Sequence, residues 1–327
     1  MSPVTDLIDG TAARIKSDAR FFVQGWNRFW FQSKDPVLLS AFRLVFRLTF
    51  FIFYLSRQFD YSFLFTEKGL IPYELSLTLV PESYQSLIEW QKLVSNETAG
   101  RVLHILFLLG LLAMAFGMLG RKVAWLVFVI HLAFLKRNFA VIHGPDMVGT
   151  FWLFYLVLTE NRRYFRLPIT KKLRATWRLR PRASEAEHQS DDLTSVAVRL
   201  IQLQLCLIYA YSGVEKVKGI TWWRGDAIWL TFANGQLVSW DLSFMHHFPL
   251  VIALMTFATL VWEIYFPFLI LFPRLRAYIL WFGVFLHLNI GLLINIPFFA
   301  TIMPTAYLLF ANGESLRRTL RQLWRQN

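Results

Sequence analysis

Several ionisable side chains lie inside or at the ends of long apolar runs of this sequence, where a charge is costly unless it is paired or used. These residues are Arg43, Arg47, Asp146, Glu215, Lys216, Glu263 and His287. Lysine, histidine and carboxylate groups that are partly withdrawn from water are the usual carriers of protons in proteins. The set therefore indicates either proton-transfer chemistry or structural ion pairing inside an apolar protein.

Lys216 is the most prominent member of this set, because it ends the apolar run of YAYSGVEKVKGITWWRGD, residues 209–226. Aromatic residues surround it in the sequence: Tyr211, Trp222 and Trp223. Rings around an ammonium group exclude water from it, which makes the neutral amine accessible as a base. Glu215 precedes Lys216, but successive helical residues point about 100° apart, so the two side chains need not pair.

The other ionisable residues each have a structural alternative. Arg43 and Arg47 are four residues apart and therefore share one helix face. Glu263 could pair with an arginine such as Arg43, because a buried ion pair costs less than either charge alone. Asp146 could sit at a helix start, where a carboxylate meets the positive end of the dipole. His287 could be a core histidine that is bonded to a carbonyl. Residue types alone leave these alternatives open.

Signatures of soluble enzymes are missing from the sequence. We find no phosphate-binding loop, dinucleotide fingerprint, HExxH or Gly-x-Ser-x-Gly pattern. The single cysteine, Cys206, excludes a disulfide within the chain and a site made of several thiolates. We therefore predict no metal centre.

Composition assigns the class of protein. Of 327 residues, 56% are hydrophobic and only 17% are charged, and the mean hydropathy is +0.43. Soluble domains have about a quarter of their residues charged. The net charge of +13 lies mostly in loops beside apolar runs, which favours a membrane surface over nucleic acid. The lipid bilayer is therefore a predicted partner, and nucleic acid is not.

The apolar runs predict an all-α, polytopic integral membrane bundle of about eight spans. The spans are approximately residues 37–56, 101–119, 123–135, 147–158, 193–214, 248–272, 277–296 and 298–310. Nine basic residues between Arg162 and Arg182 indicate a cytoplasmic loop. With both termini in the cytoplasm, most lysines and arginines fall on the inner side. We therefore predict a multi-pass protein of the cell inner (plasma) membrane.

Three regions follow from this division. Residues 1–35 predict an amphipathic helix whose aromatic face would lie in the headgroup plane; a soluble cap that packs on the bundle is the alternative. Its aromatic residues are Phe21, Phe22, Trp26, Trp30 and Phe31. Residues 36–312 form the transmembrane domain, and residues 313–327 form a basic tail.

The run from Tyr211 to Lys216, followed by Gly219, Trp222 or Trp223, Gly225 and Asp226, resembles the signature of the HTTM family. This family, the horizontally transferred transmembrane domain, is related to the membrane domain of vitamin K-dependent gamma-carboxylase. Glu263 and His287 also fit its pattern, and the resemblance covers roughly residues 36–312.

In the carboxylases, a lysine at this motif position acts as a base toward reduced vitamin K, and oxygen addition then produces the strong base that removes a gamma proton from glutamate. The resemblance implies Lys216 as the catalytic base, with His287 assisting it and a quinol such as reduced vitamin K as cofactor. Supporting polar residues would be Arg43, Asp146, Glu215 and Glu263. Ligand-binding aromatic residues would be Tyr211, Trp222 and Trp223.

Two departures from the carboxylases limit what the resemblance implies. Glu215 stands where the carboxylases have a second lysine. The chain also ends at Asn327, without the large extramembrane domain that holds their protein substrate, so peptide carboxylation does not follow from family membership.

Two hypotheses from different classes remain. In the first, an outward-facing cavity binds a quinol-like or lipid-like ligand, and Lys216 acts as a base in a quinol- or lipid-dependent enzyme. In the second, the chain is a non-catalytic membrane accessory protein that helps to mature or export a peptide or another partner. Transport is disfavoured because the two halves of the sequence show no repeat. The sequence leaves open whether the protein is catalytic.

Overall fold

The structure is a computed structural model that describes residues 18–32, 35–78, 89–159, 192–238 and 240–325. These residues form helices and connecting turns, with no β-strand among them, which confirms the all-helical prediction for the described part of the chain. The basic run between Arg162 and Arg182 lies outside the described residues.

Five of the helices are long and apolar enough to cross a membrane. They are α2 (Pro36–Phe59), α6 (Glu97–Ala115), α9 (Asp192–Val217), α12 (Pro249–Leu269) and α13 (Pro273–Leu293). Three shorter segments pack among them: α7 (Arg121–Arg137), α8 (Gly144–Val157), and α14 (Pro297–Ile302) with the 3₁₀ helix Met303–Phe310. The architecture is that of a multi-pass membrane bundle, and the number of eight spans stays a prediction.

The remaining helices are short or lie at the ends of the chain. Residues 18–31 form α1, and between the long helices lie α3 (Tyr61–Phe65), α4 (Tyr73–Thr78), α5 (Gln91–Ser95), α10 (Ile220–Arg224) and α11 (Ala227–Phe232). The last helix is α15 (Gly313–Arg325). The exposed aromatic side chains of α1 include Phe21, Phe22 and Trp26.

Proline begins many of the bundle helices, because a missing N–H costs nothing in the first helical turn. The prolines at these positions are Pro36, Pro145, Pro249, Pro273 and Pro297. Pro145 lies in the first turn of α8, the fourth apolar segment.

Helix α2 forms the centre of the first part of the bundle. Its phenylalanines Phe42, Phe46 and Phe50 recur every four residues, and neighbouring rings stack with centroids 5.4 Å apart. Trp152 of α8 packs edge-on against Phe42 and Phe46. Lipid is as apolar as these rings, so the close packing between side chains, more than exclusion of water, holds the helices together.

Helix α9 packs more extensively on α12 than any other pair of helices in the described chain. Gly213 permits this approach, because an added Cβ would lie 2.7 Å from the side chain and 3.0 Å from the backbone nitrogen of Ile264. Small residues allow close helix contacts of this kind in membranes. The contact brings Lys216, one turn after Gly213, beside Glu263.

The two ends of α9 mark the two ends of the bundle, since 26 residues span about 39 Å at 1.5 Å per residue. Near the start of α9, Arg199 donates to the backbone oxygen of Phe29, and Asp35 pairs with Arg317 of α15. We call this side the Asp35 end. The opposite side, where α9 finishes, is the Lys216 end.

Candidate functional site

Lys216 lies between α9 and α12, where it contacts polar and aromatic side chains. Its Nζ is 2.6 Å from Oε2 of Glu263 and donates a hydrogen bond of 2.6 Å to Oγ of Ser212. The Lys216 side chain is 22% exposed and that of Glu263 is 11% exposed. The ring centroid of Trp222 is 5.3 Å from the ammonium group, within reach of a cation–π contact. Lys216 is therefore held by a carboxylate, a hydroxyl and an aromatic ring.

The ion pair answers two questions that residue types left open. Glu215 pairs with Lys218 at 2.6 Å on the exposed side of α9, and this hydrogen bond raises the pKa of Lys218. The alternative that Glu263 pairs with Arg43 is wrong, because Arg43 donates instead to the hydroxyl of Thr159. Helix packing decides the outcome, since α12 lies against α9 through the close approach at Gly213.

Three buried side chains form a separate hydrogen-bonded chain near this pair. Nε2 of His287 is 2.8 Å from the hydroxyl of Tyr209, which is 2.7 Å from the hydroxyl of Tyr307. Nδ1 of His287 is buried and has no hydrogen-bond partner among the described residues. These side chains come from α13, α9 and the 3₁₀ helix, so three segments converge on one hydrogen-bonded chain.

Glycine again makes room for the polar groups. A Cβ at Gly283, one turn before His287, would lie 2.5 Å from the hydroxyl of Tyr307 and 2.6 Å from the ring of Trp262. The Trp262 ring packs on Tyr209 with centroids 4.6 Å apart. Close packing at this glycine therefore positions the rings that carry the hydroxyl groups.

The ion pair and the hydrogen-bonded chain form one cluster. Tyr209 precedes Lys216 by two helical turns on the same face of α9, and Glu263 is near enough to Tyr209 and Tyr307 to interact electrostatically with both. We call these four residues, together with His287, the lysine cluster. A carboxylate, an amine, two phenols and an imidazole grouped in this way are residue types that can hold and exchange protons.

Residue types predicted three members of the lysine cluster, which are Lys216, Glu263 and His287. Trp222, which was predicted as a ligand-binding residue, lies beside Lys216. Tyr209, Tyr307 and Ser212 were missed. The available signal was spacing, because Ser212 and Tyr209 precede Lys216 by one and two turns.

Other predicted site residues lie elsewhere. Tyr211 and Trp223 are exposed, and Trp223 donates to the backbone oxygen of Val217. Arg43 and Arg47 are buried in α2, where Arg47 donates to the oxygen of Met114 at 2.8 Å. These arginines join α2 to neighbouring segments and make no described contact with the lysine cluster.

Asp146 belongs to a second buried group, which we call the aspartate network. Arg57 donates to both of its carboxylate oxygens, at 2.8 and 2.7 Å, and the hydroxyl of Tyr54 donates at 3.1 Å. Tyr54 also lies 2.8 Å from Nδ1 of His131. The carboxylate accepts from the backbone of His143 as well, which confirms the expected place of Asp146 at a helix start. The network joins α2, α7 and α8 and includes Arg57, Tyr54 and His131, which residue types did not single out.

Comparisons with protein-family models, with curated proteins and with solved structures found no match for this chain. The resemblance to the HTTM family consequently rests on the sequence motif from Tyr211 to Asp226. Within the described residues, no three histidine, cysteine or carboxylate side chains are arranged to hold a metal ion.

Proposed function

We propose that this chain is an HTTM-like membrane protein that binds a quinol-like or lipid-like ligand at the lysine cluster and uses Lys216 to take up a proton. The observation that carries this proposal is the ion pair between Lys216 and Glu263, which lies near the Tyr209–His287 hydrogen bond inside an apolar bundle. Ionisable residues are rare inside membrane segments, and those that occur there commonly belong to functional sites.

The proposed topology has eight spans in the cell inner membrane, with the Asp35 end in the cytoplasm and the Lys216 end outside. The positive-inside rule supports it, because the basic run between Arg162 and Arg182 connects α8 with α9. Helix α1 would lie in the headgroup plane, since its exposed aromatic rings suit that layer better than water.

The buried groups fit a ligand with a hydroxyl. Nδ1 of His287 lacks a hydrogen-bond partner among the described residues, and a ligand hydroxyl would satisfy it. A bound quinol supplies an acidic hydroxyl. Oε2 of Glu263 is 2.6 Å from Nζ of Lys216 and has no hydrogen-bond partner among the described residues. In the proposed step the carboxylate takes the proton of Lys216, and the neutral amine then accepts the proton of that hydroxyl. Tyr209 holds the His287 ring in place through its hydrogen bond.

The test is ligand binding by the purified protein. We expect mass spectrometry to detect a co-extracted quinone or lipid, and added vitamin K hydroquinone to quench tryptophan fluorescence. Lys216→Ala should weaken this binding by about tenfold or more, the effect of losing a charge-assisted hydrogen bond. Lys218→Ala is the matched control, because Lys218 is an exposed lysine two residues away. Wild-type affinity in Lys216→Ala refutes the proposal.

A second candidate, the non-catalytic accessory protein, is favoured by the exposure of α13. Only Gly283 and His287 are buried in this helix, while Trp281 and Phe285 are exposed. A membrane or exported partner could cover this face. A photoreactive amino acid at position 285 would distinguish the candidates, since a protein adduct supports an accessory role and adducts with lipid alone contradict it.

A further inference from the structure

A groove of about 940 Å³ opens at the Asp35 end of the bundle, between α9, α13 and the 3₁₀ helix. Much of its wall is apolar and is formed by Leu203, Cys206, Leu280, Trp281 and Val284. Its volume lies within the range of about 300–1,000 Å³ that is typical of ligand sites. Trp281 is 72% exposed, so this side of the groove opens toward the surrounding bilayer.

Two arginines stand at the mouth of this groove. Arg199 of α9 and Arg276 of α13 are half-buried and near enough to repel each other electrostatically. Their hydrogen bonds go to neutral acceptors. Arg199 donates to the backbone oxygen of Phe29 and the amide oxygen of Gln202, and Arg276 donates to the backbone oxygen of Ile270.

The acidic residues of the groove are already paired with other arginines. Asp35 contacts Arg317 at 2.6 Å, and Glu314 contacts Arg318 at 3.9 Å. Within the described ranges, neither arginine at the mouth has an ion-pair contact with a carboxylate. Two like charges that are partly withdrawn from water favour an anion between them. The planar guanidinium is also well shaped to bind phosphate oxygens in pairs.

We propose that this groove binds an anionic phospholipid of the bilayer. The phosphate would lie between Arg199 and Arg276, and an acyl chain would follow the apolar wall toward Tyr307. The apolar wall and its opening toward lipid favour a phospholipid over free phosphate. With the proposed topology, the site faces the inner leaflet, where anionic lipids are concentrated. The groove is separate from the Lys216–Glu263 pair, and lipid binding in it does not require the proposed activity; only the assignment to the inner leaflet rests on the proposed topology.

The first experiment uses full-length, delipidated protein in a non-ionic detergent. Phosphatidylglycerol and phosphatidylcholine with identical acyl chains are titrated separately, and binding is measured by native mass spectrometry. We expect phosphatidylglycerol to bind on the order of tenfold more tightly, because only it brings an uncompensated negative charge. Inorganic phosphate should compete only weakly. Equal affinity for the two lipids overturns the proposal, as does competition by phosphate alone at lipid-like concentrations.

The second experiment identifies the residues. Arg199→Gln and Arg276→Gln should each weaken phosphatidylglycerol binding by about tenfold, whereas Arg121→Gln, at an exposed arginine outside the groove, should not. Val284→Phe should weaken lipid binding while both arginines remain. Melting temperatures without lipid verify that each variant is folded. Wild-type lipid affinity in the Arg199→Gln, Arg276→Gln double variant overturns the proposal. If a variant does not fold, the comparison of the two lipids on the unaltered protein still tests it.

Discussion

The ion pair between Lys216 and Glu263 makes a prediction about stability that is independent of any ligand. Lys216→Met and Glu263→Gln each remove one charge and leave the other among apolar side chains. An uncompensated charge in such a place is more costly than the loss of the whole pair. The two substitutions should therefore be strongly non-additive when they are combined.

The magnitude follows from the burial of the two side chains. Breaking a fully buried pair costs about 3–5 kcal/mol. Because Lys216 is 22% exposed and retains its hydrogen bond to Ser212, we expect a smaller cost, about 2 kcal/mol for each single substitution. The double variant leaves no uncompensated charge and should lose less than either single variant, about 1 kcal/mol rather than the sum of about 4 kcal/mol. The coupling energy is then about 3 kcal/mol.

The assay is unfolding in mixed micelles, in which the fraction of denaturing detergent is raised and tryptophan fluorescence is followed. The free energies of unfolding of the four proteins then form a double-mutant cycle. The control cycle uses Glu215→Gln and Lys218→Met, the exposed ion pair on the same helix, and should show no measurable coupling because water and salt screen it.

Additive losses in the main cycle would refute the pairing of Lys216 with Glu263. So would a coupling energy equal to that of the exposed control pair. Either result would also remove the proton acceptor from the proposed function, because Glu263 would then lie too far from Lys216 to receive its proton.

Three further predictions concern the packing around the two buried groups. Gly213→Ala should cost about 1–3 kcal/mol of unfolding free energy by overpacking α9 against α12, as measured in the same micelle titration. Arg57→Leu should cost about 3–5 kcal/mol, because Asp146 is left as a buried charge, and a fall in melting temperature will detect it. Tyr209→Phe should cost about 1–3 kcal/mol by leaving Nε2 of His287 without its partner, and unfolding titrations of this variant measure the loss.

Each of these has a matched control in the chain. Gly235→Ala adds a methyl group where no atom lies within 4 Å, Arg318→Leu alters an exposed arginine, and Tyr278→Phe alters an exposed tyrosine. All three controls should be close to neutral. A core variant as stable as its control would contradict the corresponding packing or pairing.

The apolar runs predicted the positions of the helices well. In lipid, every backbone N–H and C=O group must be hydrogen-bonded within the protein, and a single apolar run of this length achieves this as an α-helix. The first predicted span, residues 37–56, lies within Pro36–Phe59, and the fifth, residues 193–214, lies within Asp192–Val217. The short segments were harder to classify, since α8 has 14 residues and a span needs about 20.

Charges inside apolar runs identified Lys216, Glu263 and His287, but not their partners. Pairing depends on which helices touch, and periodicity along one helix carries no information about its neighbour. Gly213 allows α9 and α12 to approach closely, because it has no side chain at their contact. The consequence, a lysine beside Glu263, could be found only from the three-dimensional arrangement.

The two buried groups differ in how fully their hydrogen bonds are satisfied, and this difference separates structure from binding. In the aspartate network, Asp146 accepts bonds on both oxygens, and His131 uses both ring nitrogens, one with Tyr54 and the other with Thr150. A network whose hydrogen bonds are satisfied has no free donor or acceptor for a ligand, and it rigidifies the bundle. In the lysine cluster, Nδ1 of His287 lacks a partner among the described residues. This nitrogen can bond a ligand hydroxyl, so we expect the proposed ligand to bind here and to leave the aspartate network unchanged.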